Sequence, residues 1–354
     1  MFKMLDYKKL NFLCGIECHF QLESSKLFCQ CPTMIDNSEP ELRIKRKLRA
    51  VAGEAGKKDI AALYEESKDK TFIYEYSDRY ACLRDLDSEP PSELNQHALK
   101  IALEIALLLN AEIKSELKIL RKTIVNGSNV SGFQRLTLIA TNGKLKTSKS
   151  IVRIPTIYLE EDAARKIKED KNTVIYRLDR LGTPLCEIST APDIKGPEHA
   201  KETASLLGMI LKSTGKTKSG IGSIRQDLNI SIKGKSRIEL KGFQDLRAMP
   251  KVIEKEVQRQ LNLIKNKKKI EAEVRKVEPD YTTTFLRPLP GEARMYIETD
   301  VPNVKITKQL LKQIKLPELI SEKSLKLEKS YNLQPELAKG IIKQKINIES
   351  YIKT

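Results

Sequence analysis

Polar and apolar residues alternate along several short segments of the chain, and this alternation predicts strands. Residues 12–22 form the first such segment, and a period of two places successive side chains on opposite faces of a sheet. Further strands are predicted at 117–125, 133–140, 151–159, 173–178, 184–189, 226–232 and 236–241. An Asn142-Gly143 pair predicts a hairpin turn, and a second short strand is expected after the turn residues 23–25.

Apolar residues at helical spacing predict the helices. The clearest pattern follows Pro90-Pro91, a typical helix start, and extends over residues 92–111. Further helices are predicted at 40–68, 197–214 and 245–266, with two or three short helices within 307–353.

Together these elements predict an α+β fold, in which a mostly antiparallel sheet carries packed helices on one side. Residues 1–305 are expected to form one domain, with the proline-rich stretch 267–295 as an irregular connector. Residues 306–354 then begin a short helical segment. Its apolar positions are too few to bury a core of their own.

The chain is strongly basic, with 64 lysine and arginine residues against 47 acidic ones and a formal net charge of +17 in 354 residues. Because lysine and arginine release counterions when they contact phosphates, this excess favours nucleic acid over membrane as a partner. A low-GC genome or a hot habitat would produce the same excess. The sequence lacks a long apolar run and a signal peptide, so a cytoplasmic protein with no membrane partner is expected.

Ionisable residues alternate with apolar ones in three segments, 177–188, 222–230 and 237–241. Removing a sheet face of this kind from water costs on the order of several kcal/mol unless ions or a ligand bind its polar groups. Asp227 and Asn229 are expected to share such a face with Glu239 and Lys241 across a hairpin. The face is either a solvated ladder of ion pairs or a site for ATP chemistry, in which carboxylates hold magnesium and cations neutralise the phosphoryl group.

A second group of polar residues is a candidate metal site. Glu17 and His19 lie on one face of the first strand, because they are two residues apart. Glu160 comes at the end of a strand, in an acidic stretch that also suits the start of a helix. If Glu160 continues the inward face of its strand, it could join Glu17, His19 and Glu187 around a hard cation such as magnesium.

The six cysteines argue against disulfides in a cytoplasmic protein. Cys29 and Cys31 form a Cys-x-Cys pair in a turn-like stretch and supply only two thiolates, whereas a structural zinc site normally needs four ligands. Cys82 is a third ligand only if the fold brings it close. Packed thiols remain the alternative.

The ordered motifs of the chain resemble the GatE family of archaeal glutamyl-tRNA(Gln) amidotransferases and, more distantly, the GatB family of bacterial aspartyl/glutamyl-tRNA amidotransferases. The resemblance includes residues 126–135 and 286–302. Within them, the Gly-Ser-Asn-Val-Ser-Gly-Phe-Gln-Arg stretch at 127–135 and the Arg-Pro-Leu-Pro-Gly stretch at 287–291 favour GatE over GatB. Its remaining segments are 15–32, 89–110, 159–164, 178–193, 213–231 and 237–245.

This resemblance implies a cradle-shaped domain of the glutamine synthetase and guanido kinase fold group. ATP and Mg²⁺ would activate the glutamate side chain of Glu-tRNA(Gln) as an acyl phosphate, and ammonia from an asparaginase-like partner protein would convert it to Gln-tRNA(Gln). The implied metal ligands are Glu17, His19, Glu160 and Glu187. The implied catalytic residues are Glu160, Glu187, Arg225 and Lys241, and the implied cofactor contacts are Arg225, Asp227, Asn229, Glu239 and Lys241.

The chain departs from the GatE pattern in two ways. Only residues 264–285 stand where that family carries an aspartyl-tRNA-synthetase-like insertion, and Thr354 falls inside what resembles the start of the helical domain. Either the chain is a fragment of a longer protein, or a separate polypeptide supplies the C-terminal tail that grips tRNA in this family. Two other interpretations stay open: a noncatalytic tRNA-binding or scaffold relative, and an enzyme of the GatB type that also acts on Asp-tRNA(Asn).

Overall fold

The structure is a computed structural model and describes residues 5–53, 56–220, 222–291 and 295–343. Its strands are β1 (Leu13–Gln21), β2 (Leu42–Arg46), β3 (Thr71–Tyr76), β4 (Glu112–Ile113), β5 (Glu116–Leu117), β6 (Ile119–Thr123), β7 (Phe133–Lys146), β8 (Ile151–Glu161), β9 (Arg165–Glu169), β10 (Thr173–Arg177), β11 (Pro184–Ser189), β12 (Ile224–Ser231), β13 (Ile238–Lys241), β14 (Glu273–Val277), β15 (Thr283–Pro288), β16 (Met295–Ile297) and β17 (Val304–Lys305). Its helices are α1 (Ile60–Glu66), α2 (Gln96–Leu108), α3 (Pro197–Ser213), α4 (Met249–Lys265), α5 (Lys308–Lys312), α6 (Ile320–Tyr331) and α7 (Pro335–Lys343).

A large sheet of 11 strands organises the fold. Its order is β15-β14-β13-β12-β1-β11-β8-β7-β6-β16, with β4 also paired to β7. The pairs are antiparallel except for β13 with β14. A smaller sheet, β2-β3-β10-β9, and the short pair β5-β17 complete the strands. The structure therefore confirms an α+β fold with a mostly antiparallel sheet.

The two faces of the large sheet differ in chemistry. On β1, Ile16, Cys18 and Phe20 are almost fully buried and belong to the main hydrophobic core, which also contains residues of α2, α3 and α4. Glu17 and His19 alternate with these positions, so they lie on the opposite face. None of the helices in the described part of the chain combines the length and apolar composition that a membrane crossing needs.

Several predicted elements are present. The helices predicted at 197–214 and 245–266 are α3 and α4. The helix predicted at 92–111 is α2, which begins at Gln96 because the side chain of Asn95 accepts hydrogen bonds from the backbone N–H groups of His97 and Ala98. The division of the chain at residue 305 stays a prediction.

Two predictions near the N terminus are wrong. Residues 40–68 do not form one helix, because Leu42–Arg46 pairs with β3 as strand β2 and only Ile60–Glu66 is helical. Sheet pairing here overrides the local helical preference. Residues 23–41 contain no strand. Their backbone instead turns, with the Lys26 N–H donating to the Cys31 carbonyl, and the Leu27 N–H donates to the Gly182 carbonyl of another loop.

The Asn142-Gly143 pair is not a hairpin turn. Strand β7 continues through it to Lys146, and Thr147 and Ser150 form the turn, with the Thr147 N–H donating to the Ser150 carbonyl at 3.0 Å. Asn142 has φ +57°, a conformation that asparagine tolerates. A Cβ at position 143 would lie 3.2 Å from side-chain atoms of Ala111 and Ile154, so a larger residue there would press against both neighbours.

The segments 160–162 and 267–295 also differ from expectation. No helix begins at Glu160; β8 ends at Glu161, and β9 begins at Arg165. The expected irregular connector contains β14 and β15, because β14 covers the edge of β13 and β15 covers β14. An uncovered β13 would leave a row of unpaired backbone groups.

We predict that Asn95→Ala lowers the free energy of unfolding by about 1–2 kcal/mol, because it removes a helix cap. It also removes the hydrogen bonds that the Asn95 amide donates to the Ser25 and Lys26 carbonyls. Urea unfolding followed by circular dichroism measures the change. Glu93→Ala, at an exposed position of the same loop, is the control and should change the unfolding midpoint little; equal effects of the two substitutions would contradict the prediction.

Candidate functional site

A wide polar cavity lies on the face of the large sheet opposite the core. Its volume is about 730 Å³, and strands β1, β6, β8, β11, β12 and β13 contribute side chains to it. The acidic, basic and histidine residues among its described lining are Glu17, His19, Lys122, Glu160, Asp162, Glu187, Arg225, Asp227, Arg237, Glu239, Lys241 and Arg287.

His19, Glu160 and Glu187 form a first cluster in this cavity. One ligand atom from each residue lies within 4.8 Å of the others. The His19 Nε2 atom is 3.2 Å from Glu187 and 3.5 Å from Glu160. The Lys122 ammonium lies 3.1 Å from the other oxygen of Glu160. Strand register explains why His19 and Glu187 are close, because they lie directly opposite each other on the β1–β11 pair.

The protonation of this cluster follows from its charges. Burial lowers the pKa of His19, but the hydrogen bond to Glu187 and the charges of Glu187 and Glu160 outweigh this effect and raise the pKa to about 9. Burial acts against the charged form of Glu187, yet the hydrogen bond from His19 and the charge of Lys122 hold the pKa of Glu187 well below its usual range. A metal ion that takes the His19 nitrogen must therefore displace a proton.

Glu17, Asp227 and Glu239 form a second cluster, again with ligand atoms within 4.8 Å of one another. Glu17 is directly opposite Asp227 on the β1–β12 pair. The Lys241 ammonium bonds to Asp227 and lies 2.5 Å from Glu239. The Asn229 amide donates a hydrogen bond to Glu17 at 3.2 Å.

Lys241 pairs with two of the three carboxylates of the second cluster, those of Asp227 and Glu239. Burial lowers the pKa of Lys241, but the charges of Asp227, Glu239 and Glu17 raise it above its usual range. Burial and the charges of Glu239 and Glu187 raise the pKa of Glu17. Glu17 is thus a carboxylate that gains from a further cation, because a cation would relieve the repulsion from its acidic neighbours.

The buried carboxylate of Asp162 orients the Arg225 side chain. Its guanidinium donates to Asp162 at 2.7 Å, and the Gln21 amide donates to the other oxygen of Asp162 at 2.7 Å. Asp162 is completely buried, so it holds Arg225 in place from behind. Burial lowers the pKa of Arg225, but Asp162 outweighs that effect and raises it, so Arg225 remains a fixed positive charge at the cavity.

The geometry of the two clusters suits a phosphate-bearing ligand with divalent cations. Side chains at positions i and i+2 of one strand are about 7 Å apart. Glu17 belongs to one cluster and His19 to the other, so this distance separates neighbouring members of the two clusters. Carboxylate oxygens with one imidazole are ligands that a hard cation accepts, with phosphate and water completing its coordination. Lys122, Arg225 and Lys241 supply the positive charge that phosphates require.

Most of the residues predicted from the sequence meet in this cavity. Glu17, His19, Glu160, Glu187, Arg225, Asp227, Glu239 and Lys241 all line it. They fall into two clusters, so Glu17 groups with Asp227 rather than with Glu160. Asn229 is absent from the described lining, and it orients Glu17 from behind. Its expected contact with a nucleotide stays a prediction.

Sequence reasoning missed Lys122, the anchoring role of Asp162 and the cavity position of Arg287. Lys122 stands in a strand rich in basic residues, so nothing in its immediate pattern singles it out. Asp162 follows two other acidic residues that suit a helix start. Arg287 belongs to the Arg-Pro-Leu-Pro-Gly stretch, and that stretch was the available signal for it.

Comparison with known proteins identifies relatives of this chain. The GatB/GatE catalytic domain matches residues 12–312. Proteins named as the E component of glutamyl-tRNA(Gln) amidotransferase are similar to this chain in Methanocaldococcus jannaschii (36% identical, 96% of this chain and 76% of the relative), Archaeoglobus fulgidus (34%, 92% and 74%) and Pyrococcus furiosus (50%, 74% and 41%). The first alignment spans 476 positions for a chain of 354 residues, so that relative has segments that this chain lacks, as expected from the missing insertion. The chain belongs to the GatB/GatE family.

Proposed function

We propose that this protein converts Glu-tRNA(Gln) to Gln-tRNA(Gln) in an ATP-dependent reaction. The observation that supports the proposal most directly is that two acidic clusters, each able to hold a divalent cation, share one cavity with Lys122, Arg225 and Lys241. The relatives named as glutamyl-tRNA(Gln) amidotransferases support the choice of substrate.

The chemistry has two steps that balance without a protein nucleophile. An oxygen of the glutamate side-chain carboxylate attacks the γ-phosphorus of ATP, forming an acyl phosphate and releasing ADP. Ammonia then attacks the carbonyl carbon, inorganic phosphate leaves, and the nitrogen loses a proton to give the amide. The first step is needed because a free carboxylate has no adequate leaving group.

The residues of the cavity have distinct roles in this proposal. His19, Glu160 and Glu187 would hold one Mg²⁺, and Glu17, Asp227 and Glu239 a second, and the bound ions would neutralise and orient the phosphates. Arg225 and Lys241 stabilise the charge on the transferred phosphoryl group. Asp162 and Asn229 position Arg225 and Glu17.

Partners and surroundings follow from the same proposal. The ammonia would come from an asparaginase-like partner protein, as the resemblance to the GatE family implies. The net charge of +17 suits a tRNA substrate in the cytoplasm.

We predict that Glu160→Gln and His19→Ala each reduce amidation at least about a hundredfold, because each removes a ligand of the first cluster. The assay supplies ATP, MgCl₂, Glu-tRNA(Gln) and ammonium chloride, so it needs no ammonia-producing partner, and it measures Gln-tRNA(Gln). Glu169→Gln, an exposed carboxylate of the small sheet, should retain full activity.

Two results would contradict the proposal. Full activity in both variants would overturn the site assignment. A folded wild-type protein that binds tRNA with a steep salt dependence, but neither consumes ATP nor forms the amide, would instead be a scaffold.

We predict that Lys241→Gln raises the ATP concentration needed for half-maximal rate about tenfold, the effect of losing roughly 1.4 kcal/mol of charge-assisted bonding. Lys241→Arg retains the charge and should lie between wild type and Lys241→Gln. The control is Lys276→Gln, an exposed lysine directly opposite Lys241 on β14. A change in urea midpoint without a change in ATP dependence would show that Lys241 is structural.

We predict that adding an asparaginase-like partner protein makes product formation independent of ammonium chloride when an amide amino acid is supplied. A bacterial amidase-type partner should fail in the same mixture, because it serves enzymes of the GatB type. Product formation with the amidase-type partner alone, together with amidation of Asp-tRNA(Asn), would favour the GatB interpretation.

A further inference from the structure

Three thiols and one carboxylate converge at a place outside the cavity. Cys29 and Cys31 come from the irregular segment 23–41, and Cys82 and Asp85 come from a second irregular segment, 77–95. One ligand atom from each of the four residues lies within 4.8 Å of the others. The fold has thus brought together residues that are about fifty positions apart in the sequence.

The spacing of these atoms suits a tetrahedral metal ion. With metal–sulfur bonds of about 2.3 Å and a metal–oxygen bond of about 2.0 Å, neighbouring ligand atoms are roughly 3.5–3.8 Å apart. The sulfurs of Cys82 and Cys29 lie 3.7 and 3.8 Å from the same Asp85 oxygen. The ligand atoms therefore need little movement to surround one ion.

The backbone already holds the two segments in position. The Lys26 N–H donates to the Cys31 carbonyl at 3.0 Å, and the Asp85 N–H donates to the Cys82 carbonyl at 3.0 Å. Each bond closes a tight turn that carries two of the four ligands. The segments are long and contain no helix or strand, so few regular hydrogen bonds hold them in place. A metal ion that links the two segments would therefore stabilise them.

Lys26 completes the surroundings of the cluster. Its side chain is fully buried, donates to the Leu178 carbonyl at 2.9 Å and lies 3.1 Å from the Asp85 carboxylate. A carboxylate that ligates a metal keeps a second partner of this kind, which fixes its orientation and offsets negative charge. Lys26 thus supplies a buried positive charge that is paired with the fourth ligand of the cluster.

We propose that Cys29, Cys31, Cys82 and Asp85 bind one structural Zn²⁺. The donor set favours zinc over the magnesium of the cavity, because thiolates are soft ligands and magnesium prefers oxygen. The ion holds segments 23–41 and 77–95 together.

The site is connected to the catalytic cavity through the backbone. The Leu27 N–H donates to the Gly182 carbonyl, and the Gly182 N–H donates to the Asp162 carbonyl. Asp162 in turn holds Arg225. Loss of zinc should therefore loosen the support of Arg225 and reduce activity without touching a cavity residue.

Metal analysis of the purified full chain tests the proposal. Wild-type protein expressed with added zinc should retain about one equivalent of Zn²⁺ after extensive dialysis. Cys82→Ser should lose most of that zinc, and Asp85→Asn should bind it more weakly. Cys14→Ala is the matched control, since Cys14 is a buried thiol in the core cluster, and it should retain the full equivalent.

A second measurement avoids dependence on the folding of the variants. Wild-type protein loaded with Co²⁺ in place of zinc should show the charge-transfer and visible bands of a tetrahedral thiolate site. Folded wild-type protein that contains no zinc, shows no such bands and has Cys29, Cys31 and Cys82 all free to react with a thiol reagent would overturn the proposal. Because this readout needs no ATP or tRNA, it is independent of the proposed amidation.

Discussion

Strand β1 places its apolar side chains on one face and its ionisable side chains on the other, and the rest of the molecule depends on this constraint. Its apolar residues join the core beneath the helices, so Glu17 and His19 must lie on the other face. Because β1 pairs with β11 and β12, the same rule applies to their residues, and the ionisable side chains of three strands converge. The cavity therefore follows from the packing of the core.

Charge balance decides whether such a face can exist. Among the described residues that line the cavity, six carboxylates stand against five lysine and arginine side chains, and a protonated His19 brings the two signs level. When a divalent cation binds and displaces the His19 proton, the net charge of the cavity with its ion becomes positive. A polyphosphate restores the balance, so the cation and the nucleotide would favour each other's binding through their charges.

The sequence predicted the class of fold and most of the cavity, because alternation and helical spacing are local signals. It failed where distant strands decide the outcome. Leu42–Arg46 forms a strand because it pairs with β3. Glu273–Val277 forms strand β14 because it pairs with β13. In the same way, the separate grouping of Glu17 with Asp227 depends on register across two strands, and the approach of Cys82 to Cys29 depends on two loops that have no periodic pattern at all.

The β14–β15 pair shows how the chain can change its architecture without changing its chemistry. The end of α4 and the turn between β14 and β15 are largely exposed, while Arg287 on β15 still reaches the cavity. Extra sequence placed at either exposed point would project into solvent and leave the strand pairing intact. This edge of the sheet is thus a natural junction at which evolution can add or delete a whole module while the reaction centre stays the same.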